Sequence, residues 1–161
     1  MRNGAFAVFI GILILIDLAL HVGLGYGAVA PDLITVAALL SARRLTGVQA
    51  ALIGLAIGLL ADSLALNSFG ASAVALVIVC FIGARTRDLF EGNSLLFTAV
   101  YLFLGKWLHD LIWFLFASDA RQGTPLDTLW TVAPLQALTA AVAGAVALMI
   151  FRAIAGERRL R

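Results

Sequence analysis

Six ionisable side chains interrupt the apolar stretches of this sequence, and they are the residues with the most evident capacity for chemistry. They are Asp17, His21, Asp62, Lys106, His109 and Asp110. A charged aspartate near the middle of a lipid-facing helix costs about 2.5 to 3.5 kcal/mol on insertion scales. We therefore expect these side chains to face one another inside a helical bundle, where they would form an intramembrane polar cluster.

The spacing of these residues indicates which of them share a helix face. Asp17 and His21 are four residues apart, and Lys106 is followed by His109 and Asp110 at intervals of three and four. Residues three or four apart are neighbours on the surface of a helix. The spacing therefore predicts two polar faces, one on each of two helices.

Asp62 continues a stripe of glycines. Gly54, Gly58 and Asp62 recur every four residues, and small residues at this spacing let two helices approach closely. Asp62 is thus predicted to point into the bundle, with Lys106 as the central cation among the three aspartates of the cluster. Removal of Lys106 should then be less harmful when Asp62 is removed as well.

Several kinds of chemistry are open to such a cluster. Its ion pairs can fix the register of the helices, its cleft can accept a helix or peptide of a partner, or it can bind a small molecule or an ion. An aspartyl protease is disfavoured because Lys106 would keep two facing carboxylates ionised. His21 and His109 with Asp62 could ligate zinc, but their spacing does not require it. The sequence contains no Walker loop and no dinucleotide-binding turn, so we expect no enzymatic activity, no cofactor and no metal site.

The elements that carry these residues follow from composition. Of the 161 residues, 63% are hydrophobic and 12% are charged, against about half and about a quarter in soluble domains. Six continuous apolar segments lie at about residues 4–24, 31–46, 48–66, 70–88, 95–117 and 131–152. Membrane strands would be shorter and would alternate in polarity. The sequence therefore predicts an all-α integral membrane protein, a single domain over residues 1–161 with six transmembrane helices.

Two segments have unusual boundaries. The apolar part of the second segment covers only residues 31–42, so the helix is expected to continue to Gly47 with Arg43 and Arg44 reaching the headgroups; a re-entrant hairpin is the alternative. Pro134 lies inside the last helical segment and predicts a kink or a break, with a short interfacial piece before the span. The start of the chain resembles a cleavable signal peptide, but Asp17 and Pro31 argue against cleavage.

The arginines set the expected orientation. With the amino terminus in the cytoplasm, nine of the eleven basic residues fall on the cytoplasmic side. This asymmetry places both termini in the cytoplasm, which an even number of spans allows. The ionisable residues of the polar cluster then lie near the membrane centre or in its outer half. The cytoplasmic arginines are expected to contact anionic lipids, and no nucleic-acid partner is expected.

Part of the sequence resembles a known bacterial family. The run Pro31-Asp32-Leu-Ile-Thr-Val, the arginine pair, the segment Gly54-x-x-x-Gly58-Leu-Leu-Ala-Asp62 and then Phe69-Gly70-Ala-Ser-Ala resemble the rod shape-determining family MreD. Chain length, the six-segment hydropathy and the arginine-rich tail agree with that family. A histidine that the family often has shortly after the last glycine is missing here, where Ser72 and Ala73 stand.

The resemblance implies a non-enzymatic scaffold of the cell-wall elongation (rod) complex in the bacterial inner membrane. Such proteins bind MreC, a single-span protein with a coiled coil, and help to couple MreB filaments to RodA and a class B penicillin-binding protein. The resemblance leaves open whether the protein forms a homodimer. Carried over to this sequence, the motif assigns partner binding or bundle packing to Asp32, Gly54, Gly58 and Asp62. The family's bundle is similar to the substrate-binding subunits of energy-coupling-factor transporters, so a vitamin-binding subunit is the alternative function.

Overall fold

The computed structural model describes residues 2–20, 31–64, 70–86, 95–116 and 126–157. These residues form six helices in chain order. They are α1 (Arg2–Leu18), α2 (Leu33–Ala42), α3 (Gly47–Leu64), α4 (Ala71–Arg85), α5 (Leu95–Phe116) and α6 (Leu126–Glu157). The described chain is thus all-helical, as the continuous apolar segments predicted.

Three of the helices are long and apolar enough to cross a membrane. These are α3, α5 and the Val132–Gly156 part of α6, with 18, 22 and 25 residues. Among the described residues, α1, α2 and α4 are also apolar but shorter. A span of about 30 Å needs about 20 helical residues, so the length and composition of these three helices are those of a helical membrane protein.

The short helix α2 lies at the centre of the bundle. All ten of its residues are buried, and it contacts each of the other five helices. Val36 and Leu39 belong to one apolar core, whereas Ile34 and Ala38 belong to a second. A helix that is apolar on every side is stable only where protein or lipid surrounds it completely. Here α2 is covered by protein, and its two faces join the two cores.

The outer surface of the bundle is apolar. Large side chains such as Leu15, Leu52, Leu96 and Leu115 are more than 60% exposed and lie on different helices or turns. In water such a surface would mark an interface or an aggregation site. On a bundle that contains membrane-spanning helices, it is the surface that lipid or another membrane protein covers.

The bundle separates its charges by end. Arg44 lies over the ring of Phe6, and Phe9 stacks on Phe151, so the start of α1, the end of α2 and the end of α6 lie together. The opposite end contains Asp17, which contacts the start of α2. The described arginines and the buried acids therefore occupy opposite ends of the structure.

Two helix boundaries differ from the sequence-based expectation. Helix α2 ends at Ala42 and does not continue to Gly47, because the next amide groups turn back: those of Arg44 and Leu45 donate to the carbonyls of Ser41 and Ala42. Helix α6 runs from Leu126 to Glu157 with Pro134 inside it, so the break that was one of the two expected effects of this proline is absent, and the predicted kink stays a prediction.

Candidate functional site

Asp62 caps the start of helix α4. Its carboxylate accepts hydrogen bonds from the backbone N–H groups of Gly70 at 3.0 Å, Ser72 at 3.0 Å and Ala73 at 2.9 Å. Gly70 adopts a positive φ of 96°, a conformation that glycine reaches without steric cost. Asp62 is only 1% exposed, so its charge is balanced by the first amide groups of α4 and the positive end of the helix dipole.

Asp17 and Asp32 do the same for helix α2. Asp17 accepts from the N–H groups of Leu33 at 2.7 Å and Ile34 at 3.3 Å, and Asp32 accepts from that of Thr35 at 2.9 Å. The next amide, of Val36, donates to the Asp32 carbonyl. That bond is the first one within the helix, whereas the amide groups before it have no partner inside a helix. The two carboxylates supply a partner to those of Leu33, Ile34 and Thr35. An acid from the end of α1 thus caps α2, just as an acid from the end of α3 caps α4.

Lys106 joins α2 to α5 in the polar cluster. Its ammonium group lies 2.6 Å from Asp32 Oδ2 and 2.6 Å from Asp110 Oδ1, and His109 Nδ1 lies 3.1 Å from the same Asp110 oxygen. Asp32 Oδ2 also accepts from the Thr35 hydroxyl. Lys106 and His109 are buried, whereas the side chains of Asp32 and Asp110 are 27% and 15% exposed. The cluster therefore opens on its carboxylate side.

The partners of Lys106 differ from those that the sequence predicted. Among the described residues Lys106 binds Asp32 and Asp110. Asp62 instead accepts hydrogen bonds from the start of α4, and Asp17 accepts them from the start of α2. The expectation that Lys106 would be surrounded by Asp17, Asp62 and Asp110 is wrong for Asp62. His21 lies outside the described residues.

The glycine stripe of α3 lies against α4. A Cβ atom on Gly54 would stand 2.5 Å from the Leu76 carbonyl oxygen, and one on Gly58 would stand 2.9 Å from the Ala73 nitrogen and the Ser72 oxygen. Both positions meet backbone, which cannot move aside as a side chain can. The stripe therefore sets the short distance between α3 and α4, and this distance brings Asp62 to the amide groups that it caps.

The carboxyl end of α2 is held by Tyr101 and Thr98, which the sequence did not single out, and by Arg43, which was expected to reach the headgroups. Tyr101 donates its hydroxyl to the Leu39 carbonyl at 3.1 Å, and Arg43 donates to the Thr98 hydroxyl at 3.1 Å. A Cβ on Gly83 would collide with the Tyr101 hydroxyl, so this glycine makes room for it. The sequence does place Tyr101 between one and two helical turns before Lys106 on the same apolar helix, which marks it as a possible hydrogen-bond donor. It does not show that the acceptor is the Leu39 carbonyl.

The cluster can hold charge, but its described residues give no indication of bond-breaking chemistry. It brings two carboxyl groups, one amine and one imidazole into contacts of 2.6 to 3.1 Å. Asp110 Oδ2 is buried and accepts no hydrogen bond within the described structure. The described residues contain no grouping of three His, Cys, Asp or Glu side chains that could hold a metal ion.

Comparisons with protein-family models, with curated proteins and with solved structures find no match to this chain.

Proposed function

We propose that this protein is a non-enzymatic, six-span scaffold of the MreD type in the bacterial inner membrane. In this proposal it binds an MreC-like single-span protein and helps to couple cytoplasmic MreB filaments to RodA and a class B penicillin-binding protein. Both termini are cytoplasmic. The proposal starts from the sequence resemblance and is supported by the way in which the resembling residues are used.

The observation that carries the proposal is that the motif residues serve the architecture of the bundle. Asp32 caps α2 and binds Lys106, Asp62 caps α4, and Gly54 and Gly58 set the distance between α3 and α4. Each of these roles is structural, and none exposes a reactive group. A sequence pattern devoted to holding short helices in place suits a protein whose activity is to present a shaped surface.

The helix lengths and the charge distribution support six spans. Besides the three long helices, α1 and α4 are two further candidate spans. They are apolar and have 17 and 15 residues within their described bounds. The segment that contains α2 needs no long lipid-facing helix, because protein surrounds α2. Described arginines gather at one end of the bundle, and the positive-inside rule assigns that end to the cytoplasm.

One observation favours the alternative, a substrate-binding subunit of a vitamin transporter. Asp110 Oδ2 is a buried acceptor without a hydrogen-bond partner in the described structure, and buried polar atoms are usually satisfied. A donor group on a small ligand would supply that hydrogen bond. The site would lie in the outer half of the bundle, where such subunits bind their ligands.

Purification of the tagged protein from its own cells distinguishes the two functions. A scaffold should retain a single-span protein with a coiled coil in a fixed ratio, and depletion of the chain should turn rod-shaped cells round. A vitamin-binding subunit should instead retain a small molecule that mass spectrometry detects. Recovery of the ligand without such a protein partner would refute the scaffold proposal.

A pair of lysine and arginine variants sharpens this experiment. Lys106→Met removes the cation of the cluster, and Arg152→Gln removes an exposed cation at the other end of the bundle. The alternative function predicts that only Lys106→Met loses the small molecule. The scaffold predicts that both variants keep the protein partner whenever their elution profile shows that they are folded.

A further inference from the structure

An apolar groove runs between helices α1 and α3 on the outside of the bundle. It has a volume of about 520 Å³, and its walls include Ile10 and Ile14 of α1 and Ile53 and Ile57 of α3. It follows α1 from Phe6 to Ile14, which is about 12 Å at 1.5 Å per residue. One leaflet of the hydrocarbon core is about 15 Å thick, so the groove is about as long as one leaflet is deep.

An arginine stands at one end of the groove. Arg44 lines it together with Ser41, and its guanidinium carbon lies 3.5 Å from the centre of the Phe6 ring. This cation–π contact holds the guanidinium group at the mouth of the groove. Arg44 is exposed, so the groove has a cationic mouth and an apolar body.

We propose that this groove binds one anionic phospholipid, with an acyl chain between α1 and α3 and the phosphate on Arg44. A guanidinium binds phosphate oxygens through two parallel hydrogen bonds. The described lining residues include no carboxylate, so among them a zwitterionic headgroup would find no partner for its ammonium group. Arg43 and Arg85 lie at the same end of the bundle as Arg44 and strengthen the preference for a negative headgroup.

A second groove offers an internal comparison. The groove between α1 and α6 has a volume of about 440 Å³ and is lined only by apolar residues, among them Ala5, Phe9 and Ile150. An acyl chain can lie there, but no cation in its lining fixes a headgroup. Of these two grooves, the α1–α3 groove is therefore the one expected to retain an anionic lipid selectively.

The site also has a structural consequence. Helix α1 packs mainly on α2, and the groove separates it from α3 along the half that begins the chain. A lipid chain in this space would join α1 to α3 by contacts that the protein alone does not make. The proposal requires only that the bundle lies in a membrane, so it stands apart from the identity of the protein partner.

Native mass spectrometry of the whole protein, titrated with phosphatidylglycerol or phosphatidylcholine in mild detergent, tests the site. We expect one phosphatidylglycerol to bind at least tenfold more tightly than the following ones and than phosphatidylcholine. Arg44→Gln should weaken this first binding about fivefold to tenfold. Ala56→Trp, which fills the groove with a bulky side chain, should abolish it.

Two matched variants serve as controls. Arg152→Gln removes an arginine outside the groove, and Ala5→Trp fills the other groove; both should keep the first lipid at wild-type affinity. Helical circular dichroism and a single elution peak establish that each variant is folded. Wild-type affinity in Arg44→Gln or in folded Ala56→Trp overturns the proposal, as does equal binding of the two lipids. Loss of a protein partner in Ala56→Trp with unchanged lipid binding would identify the groove as a helix-docking site and also overturns it.

Discussion

Asp62 should be the most sensitive polar position in the bundle. Replacement by alanine removes the acceptor of three backbone N–H groups at 2.9 to 3.0 Å and leaves them inside a site where Asp62 itself is 1% exposed. A hydrogen bond to a charged group contributes about 1.5 to 3 kcal/mol. Because such contributions overlap, we expect Asp62→Ala to lower the free energy of unfolding by about 3 to 5 kcal/mol.

Asp62→Asn separates the charge from the shape of the side chain. Two of the three amides donate to Oδ2 and the third donates to Oδ1. An asparagine can keep one oxygen for the first two amides, but its NH₂ group then faces the N–H of Ser72, where two donors meet. The expected loss is about 1.5 to 3 kcal/mol, smaller than for alanine.

Unfolding in mixed micelles, with increasing mole fraction of sodium dodecyl sulfate and helicity followed by circular dichroism, measures both losses. Ser63→Ala is the matched control, because Ser63 is the next residue, is exposed and donates only to the Leu60 carbonyl of its own helix. It should change the free energy of unfolding by less than about 0.5 kcal/mol. An Asp62→Ala protein as stable as Ser63→Ala would refute the assignment of Asp62 as the cap of α4.

Two further predictions concern pairs of positions. In a double-mutant cycle, Lys106→Ala and Asp32→Ala should show a coupling energy of about 1 to 3 kcal/mol, because the two side chains form an ion pair. Lys106→Ala and Asp62→Ala should instead have additive effects on the free energy of unfolding, within about 0.5 kcal/mol, because Asp62 binds α4. Coupling in the second cycle but not in the first would contradict the ion pairs of the structure. Gly58→Ala should destabilise by about 1 to 3 kcal/mol because its Cβ would overlap the backbone at Ala73. Gly11→Ala meets nothing within 4 Å and should stabilise α1 by up to about 1 kcal/mol; equal stability of the two variants in the same micelle assay would argue against the close approach of α3 and α4.

The helical class and most helix positions could be predicted because lipid forces the backbone to satisfy its own hydrogen bonds. The fifth segment, predicted at residues 95–117, is the helix Leu95–Phe116. Hydropathy locates such a segment from its own residues, without information on which helices pack against it. The end of α2 could not be read in the same way, because the turn after Ala42 is fixed by its own backbone hydrogen bonds and not by a change in hydropathy.

The partner of Lys106 could not be predicted for a different reason. The depth of Lys106 along its helix restricts its possible partners to carboxylates at the same level of the membrane. Several aspartates lie at that level. The choice among them depends on which helices are adjacent and how each is rotated. Here α5 contacts α2, whereas Asp62 of α3 turns toward α4. Which helices are neighbours depends on how all six pack together, so the sequence of a single segment does not reveal it.

Helix length explains why the buried acids gather at one end. Helix α2 has 10 residues and α4 has 15, which is about 15 Å and 22 Å at 1.5 Å per residue, against a hydrocarbon core of about 30 Å. A helix that is too short must begin or end inside the membrane, where no water is present to accept its first N–H groups. The other ends of α2 and α4 carry the exposed arginines Arg44 and Arg85, whose long side chains can reach headgroups. In the six-span proposal the shortfall therefore falls at the helix starts, where Asp17, Asp32 and Asp62 supply carboxylates.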